Sequence, residues 1–154
     1  MNTADICIRH ATPRDQPAIR GLVQSEYLNP RKLDWANFFV AAIEDRVIGT
    51  VQMRKHSDGS HELGSLVVSK DARGHGVASR LIDRLLSDEA GPVWMIAPDA
   101  WAQSYSRWDF ERIEPQSAPV KVRRNYRLGS LGRYVSFLKR RPARQLVILE
   151  RLPR

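Results

Sequence analysis

The sequence predicts a mixed α/β domain: a mostly antiparallel sheet of about seven strands flanked by helices. Two observations predict it. Apolar residues switch repeatedly along the chain between helical spacing and short β-rich runs. Three β-rich runs between Phe38 and Val68 follow one another across turns too short to hold a crossover helix, so they should be antiparallel neighbours. A chain of 154 residues fits one domain, 1–154.

Ile6-Cys7-Ile8 reads as the first strand, with Cys7 expected as a buried structural thiol between two isoleucines. Thr12-Pro13-Arg14-Asp15 then carries a hydroxyl cap, a proline and an acid in helix-opening order. Ala18, Ile19, Leu22 and Val23 give the helix that follows one apolar face. Asn29-Pro30 repeats the signal and predicts a shorter helix through Leu33 and Trp35. Phe38–Ile43, Val47–Met53 and Glu62–Val68 are the three central strands, with Asp58-Gly59 marking a turn. Ala78, Leu81, Ile82, Leu85 and Leu86 keep a 3.6-residue period. Pro92–Ile96 reads as a strand, Asp99–Trp108 as a helix, Phe110–Ile113 as a strand and Leu146–Leu149 as the last one. The segment before that last strand looks partly helical around Val122–Leu128 and Tyr134–Leu138.

Composition excludes several classes. With 42% hydrophobic and 27% charged residues the chain is not of the disordered type. Its longest apolar run, Phe38–Ile43, is far short of the roughly 20 residues of a membrane span. No secretory signal is visible at Met1–Asp5, and a lone cysteine fits a reducing compartment, so the expectation is a soluble cytoplasmic protein without a membrane partner. His10, His56, His61 and His75 show no ligand spacing, and no metal is expected.

Charge is unevenly spread. The formal net charge is +8, from 25 cations and 17 acids. Nine of the cations lie in 116–144 with no acid among them, which leaves 16 cations against 17 acids elsewhere. A concentrated positive field suits a polyanion. Three accounts stay open: a solvated face whose Arg and Lys stems cover the sheet edge, long-range attraction of an anionic substrate, or nucleic-acid binding with Tyr126 and Tyr134 stacking among the arginines. No helix-turn-helix or RNA-binding motif supports the third.

The stretch from Leu66 to Ala78 is the most informative. A strand gives way to a glycine-containing turn, Arg73-Gly74-His75-Gly76, that opens a helix at Val77-Ala78. A helix start presents unpaired N–H groups and the positive end of the dipole, and glycines remove the Cβ atoms that hold an anion away. The alternative is that the glycines only shape the helix entry. A P-loop is excluded because Gly76 is followed by Val77-Ala78 rather than Lys-Ser/Thr. A dinucleotide fingerprint is excluded because Ser79 stands where a third glycine or alanine is needed.

On these residues the chain resembles the GNAT N-acetyltransferase superfamily, whose acetyl-CoA motif is Gln/Arg-x-x-Gly-x-Gly/Ala. Arg73-Gly-His-Gly76-Val-Ala78 is similar to it, Leu66-x-Val68 stands upstream at the family's distance, and Tyr105-Ser-Arg-Trp-Asp-Phe110 is similar to the Tyr-x-x-x-Gly-Phe end of its fourth helix. The resemblance covers about Ile6 to Ile113 and the last strand. Asp109 departs from the family's glycine, and Pro98 stands where many members carry an asparagine.

The resemblance implies the GNAT fold, with acetyl-CoA as co-substrate and direct attack by an amine in a ternary complex. Strands four and five would splay apart around the pantetheine, which pairs with the backbone of Leu66 and Val68. The N–H of Val67 or Val68 would stabilise the oxyanion. Arg73, Gly74, His75, Gly76, Val77 and Ala78 would hold the diphosphate. Glu62, on the face of Leu66 and Val68 by strand alternation, is the implied general base, directly or through a water; the alternative is a solvated acid on the strand rim. Tyr105 is the implied general acid for the thiolate; the alternative is that Trp101, Tyr105 and Trp108, at i, i+4 and i+7, form an apolar helix face. The implied acceptor is the primary amine of a small molecule, with amino acids favoured over polyamines by positive charge. The rival expectation is a catalytically silent module that binds nucleic acid or an acidic protein through 116–144. Either is compatible with a homodimer.

Overall fold

The computed structural model describes residues 5–26, 28, 30–138 and 145–153. Its seven strands are β1 (Ile6–His10), β2 (Phe38–Ile43), β3 (Arg46–Lys55), β4 (His61–Val68), β5 (Val93–Pro98), β6 (Glu111–Ile113) and β7 (Leu146–Arg151). They hydrogen-bond in the order β1-β2-β3-β4-β5-β7-β6. Pairing is antiparallel at β1–β2, β2–β3, β5–β7 and β6–β7 and parallel at β4–β5, so the expected mixed, mostly antiparallel sheet is the one observed. The α-helices are α1 (Gln16–Ser25), α2 (Val77–Ser87) and α3 (Val120–Leu138). Packing divides the chain into two compact units, residues 1–54 with 64–89, and residues 55–63 with 90–154; β4 contributes to both.

In the first unit, Thr12 and Asp15 open the chain's first helical turn as their order predicts. The Asp15 carboxylate accepts from the Thr12 N–H at 2.7 Å and hydroxyl at 3.0 Å, and Arg9 clamps it with two bonds of 2.7 and 3.0 Å. Ile19 and Val23 of α1 are fully buried with Phe38 and Val40 of β2. Helix α2 buries Val77, Leu81, Ile82, Leu85 and Leu86 and packs on β1 and β2. Its seat requires Gly49 of β3, where a Cβ atom would stand 3.1 Å from both Leu81 Cδ1 and Val77 Cγ1.

Two expectations fail in this unit. The helix predicted from Asn29-Pro30 does not form among the described residues; a single 3-10 turn, Trp35–Asn37, is present instead. Gln16 has taken the needed backbone groups, since its amide donates to Leu33 O at 2.5 Å and accepts from Trp35 N–H at 2.9 Å. Asn29 lies outside the described residues. Cys7 is exposed, not buried. Successive strand residues face opposite ways, so Ile6, 3% exposed, takes the core and the residue after it faces out.

In the second unit β7 lies between β5 and β6, and α3 packs on β5 and β7. Ala118, Val122 and Ile148 form the buried cluster there, joined by Trp94, Ile96, Ile113 and Tyr126. Within the basic segment Val120–Leu138 is one helix rather than two partial ones, its side chains described as far as Leu131. Lys121 and Arg123 are half-buried and Arg124 and Arg127 exposed, while Arg133 and Tyr134 are described in backbone only; Lys139, Arg140, Arg141 and Arg144 lie outside the described residues.

Candidate functional site

The glycine turn is built by backbone. After β4 ends at Val68, Ser69 N–H donates to Ile48 O at 2.8 Å and a 3-10 turn, Lys70–Ala72, buries Ala72 completely. Gly74 and Gly76 then take φ of +80° and +73°. A side chain is disfavoured there by about 1–2 kcal/mol on backbone grounds alone. A Cβ at either position would meet nothing within 4 Å, so the glycines serve the left-handed backbone and leave open space above it. Gly76 is the N-cap of α2 and has no side chain to satisfy the N–H groups of the first turn. Val77 is buried while Gly74 and Gly76 are exposed, which leaves an outward-facing turn whose polar surface is peptide.

The side chains of that turn hold it together. Arg73 Nε donates to Val68 O at 3.0 Å, and its guanidinium pairs with Glu26 at 2.7 Å. His75 Nδ1 lies 2.9 Å from Arg73 O. Arg73 therefore braces the loop against the end of β4, and its charge is shared with Glu26. Val67 is 4% exposed, and Leu66 and Val68 are half-buried.

β4 also carries an irregularity with a bearing on the sequence reading. Ser65 has φ of +51° in mid-strand, with its carbonyl bonded to Thr50 Oγ1 at 2.9 Å. A left-handed residue interrupts the two-residue period, as in a β-bulge. The alternation that carried Glu62 onto the face of Leu66 and Val68 therefore fails at Ser65, and β4 has to be read on each side of it separately.

In the second unit Glu62 is not a solvated rim acid. It is 1% exposed. Its Oε2 lies 2.8 Å from His56 Nε2 and accepts from Asn125 Nδ2 at 2.8 Å. The side chains of His56 and Glu62 are 4% and 2% exposed, so this is a buried acid–imidazole pair. The hairpin between β3 and β4 positions it: His56 N–H donates to Ser60 O at 2.9 Å, closing the turn at Asp58-Gly59, with Gly59 at φ +83°. Asp58 accepts from Ser60 through one oxygen and from the Lys121 N–H, at the start of α3, through the other at 3.0 Å. Those bonds, the Ser60 hydroxyl first among them, hold the Asp58 carboxyl down at about 2. Asp58 thus caps α3 from a distant part of the chain, and Asn125 follows one turn later, facing Glu62. Sequence reasoning missed His56 and Asn125. Six and 63 residues separate them from Glu62, and no spacing rule joins them.

Tyr105 lies in the same unit, on Asp99–Trp108, which is a 3-10 segment rather than an α-helix. Three residues per turn put Tyr105 and Trp108 on one face and turn Trp101 a third of the way round. Tyr105 is accordingly buried, with its ring 6.2 Å from that of Trp108, and Trp101 is 51% exposed. The apolar face of three aromatics does not form. Burial pushes the Tyr105 phenol above its usual value, so it stays protonated well past neutral pH. Asp109 ends the segment with φ of +61°, the conformation for which glycine is the default residue. Among the described residues no group of three His, Cys, Asp or Glu could hold a metal, and no helix is long and apolar enough to cross a membrane.

The family model described as the acetyltransferase (GNAT) domain matches residues 34–112, just over half the chain, and takes in the glycine turn, Glu62 and Tyr105. The chain belongs to the GNAT acetyltransferase family. Solved structures agree on the fold. N-acetylglutamate synthase from Neisseria gonorrhoeae, complexed with coenzyme A and L-arginine, matches with a TM-score of 0.72 at 17% identity, over 96% of this chain and 33% of that one. The protein Rv2747 from Mycobacterium tuberculosis, in complex with CoA and NLQ, gives 0.69 at 20% identity over 95% and 98%. Ard1 from Thermoplasma volcanium gives 0.67 at 15% identity over 97% and 99%. The chain spans about a third of the synthase chains it matches. No curated protein matches it in sequence.

Proposed function

We propose that the protein is an acetyl-CoA-dependent N-acetyltransferase that acetylates the primary amine of a small molecule, an amino acid being the favoured class, by direct attack in a ternary complex. The observation that carries this reading is the pair of left-handed glycines at the start of α2, open above and inside the family match. N–H groups from Gly74 to Ala78 would receive the diphosphate at the positive end of the α2 dipole. Arg73 holds the loop that presents them. The N–H of Val67 or Val68 would donate to the carbonyl oxygen as negative charge develops on it.

The attacking amine has to shed a proton, and Glu62 would take it, directly or through a water. Its Oε2 lies within 2.8 Å of both His56 Nε2 and Asn125 Nδ2, which fixes the carboxyl in place. Tyr105 would return a proton to the departing thiolate. The bond made is amine nitrogen to carbonyl carbon and the bond broken is carbon to sulfur, with no acyl-enzyme between them. Net positive charge in 116–144 supports a carboxylate-bearing amine over a polyamine, and the lone cysteine supports a cytoplasmic setting.

A free-CoA release screen against L-amino acids, spermidine and an aminoglycoside tests this. We expect turnover with at least one amino acid and little with spermidine. In Glu62→Gln we expect a loss of roughly 10²–10⁴-fold in turnover with acetyl-CoA affinity retained. No saturable acetyl-CoA binding by the wild-type protein would overturn the transferase reading, and rapid acetylation of spermidine alone would overturn the choice of acceptor.

A further inference from the structure

We propose that the proton acceptor is the His56–Glu62 pair acting as one unit, with Nδ1 of His56 receiving the proton and Glu62 fixing the imidazole that receives it. This rests on the acetyl-transfer reading and assigns a role to a residue outside the family's motif.

The geometry orders the two members. Asn125 Nδ2 can only donate, so Glu62 Oε2 is an acceptor there; an acceptor at that oxygen calls for the Nε2–H form of His56 as its second partner. With its hydrogen on Nε2, the imidazole carries its lone pair on Nδ1. That nitrogen makes no hydrogen bond to any described residue, although the side chain is only 4% exposed. The orientation is that of a carboxylate-held histidine base, in which the acid sets the tautomer and stabilises the imidazolium.

Uptake of a proton at Nδ1 would leave His56 and Glu62 as an ion pair whose members stand 2.8 Å apart. Asp58 in the same hairpin interacts with His56, Lys121 begins α3 beside Asp58, and Glu150 of β7 accepts from Trp94 Nε1, whose residue pairs with Glu62 across β4 and β5. The step balances: the ammonium gives one proton to Nδ1, the free amine attacks the thioester carbon, the carbon–sulfur bond breaks and the thiolate takes the phenolic proton of Tyr105, the surplus proton of the new amide nitrogen passes to the phenolate through water, and the imidazolium releases its proton to water.

The test has an arm that needs no turnover. Long-range ¹H–¹⁵N spectra of the free wild-type protein should show His56 as the Nε2–H tautomer near neutral pH, and the tautomer ratio should shift in Glu62→Gln. A Nδ1–H tautomer, or indifference to Glu62→Gln, overturns the proposal. The second arm uses His56→Gln, which retains an N–H donor for Glu62 and removes the titrating nitrogen. With the best amino-acid acceptor from the screen, we expect turnover to fall by about 10²-fold or more and the acid limb of the pH–rate profile to disappear, with the KM for acetyl-CoA unchanged. A His56→Gln enzyme with full turnover and the wild-type limb reduces His56 to packing and overturns the proposal while acetyl transfer stands. A wild type without turnover on any amine defeats the transferase reading, and the tautomer spectra still decide the state of the pair.

Discussion

The two units of this chain solve two different problems with different materials. The first makes its candidate anion niche from backbone: left-handed Gly74 and Gly76, an uncapped helix start, and an arginine spent on bracing the loop. The second makes its candidate proton site from side chains, with Glu62, His56 and Asn125 drawn from β4, the hairpin before it and α3. A niche of peptide groups tolerates any residue that leaves the backbone alone and fails when a Cβ is added. A carboxylate–imidazole pair tolerates small changes of shape and fails when one titrating atom is replaced. The difference can be pressed at matched positions in the two units.

The largest effect is expected at Gly76. In Gly76→Val a branched side chain meets a φ that disfavours it and projects into the open space over the turn. We expect acetyl-CoA affinity to fall by about 100-fold or more, while urea unfolding loses about 1–2 kcal/mol. Titration calorimetry beside a urea melt separates the two. Retained affinity would mean that the turn is only a helix entry and that the niche is not made of backbone.

Tyr105→Phe is the counterpart in the second unit, because it deletes one oxygen and keeps the ring that meets Trp108. Turnover should fall by about tenfold or more without loss of thermal stability. An unchanged kcat would assign Tyr105 to packing alone.

The same contrast explains what could be read in the sequence. Thr12-Pro13-Arg14-Asp15, the 3.6-residue spacing of α2 and the Arg73–Ala78 turn are local, and local patterns state their geometry directly. The three central strands as neighbours followed from turn lengths and the mixed sheet from the family resemblance, while the place of β7 between β5 and β6 was not legible. What escaped was non-local or depended on which helical period a segment adopts. Asp99–Trp108 has the aromatics of an α-helical face, yet its 3-10 winding moves Trp101 out into solvent. Ser65 breaks a strand period that no glycine or proline announces. Gln16 cancels the predicted helix around Leu33 through two side-chain bonds across 17 and 19 positions. Asn125 reaches Glu62 because Asp58 caps α3, a contact between residues 63 apart.

The first unit also holds a buried carboxylate whose work is electrostatic. Asp15 of the first unit is held by two bonds from Arg9, with Thr12 adding two more, and its carboxyl lies at about 2. Its folded value is below the ordinary carboxylate value, so its stabilisation is present in full above about pH 4 and is lost as the pH falls through about 2. Asp15→Asn should therefore cost about 2 kcal/mol at pH 6 and progressively less between pH 4 and pH 2, where the two proteins converge. Urea midpoints across that range check it. A cost that does not change with pH would mean that Asp15 acts by shape and hydrogen bonding alone, not by charge.

The smallest effect tests whether left-handed backbone is equally costly in both units. Gly74 and Gly76 adopt it with glycine, and Asp109 adopts it with a side chain, at the position where the resemblance led to an expectation of glycine. Asp109→Ala removes the short polar side chain that makes the conformation tolerable and should lower Tm by about 2–4 °C, the shift of roughly 1 kcal/mol in a chain of this size. Asp109→Gly should stay within about 2 °C of wild type, because relief of φ offsets the greater freedom of the unfolded chain. An equal fall in both variants would trace the stability to contacts of the carboxylate rather than to the backbone, and Asp109 would then belong with the side-chain chemistry of its own unit instead of with the glycines of the other.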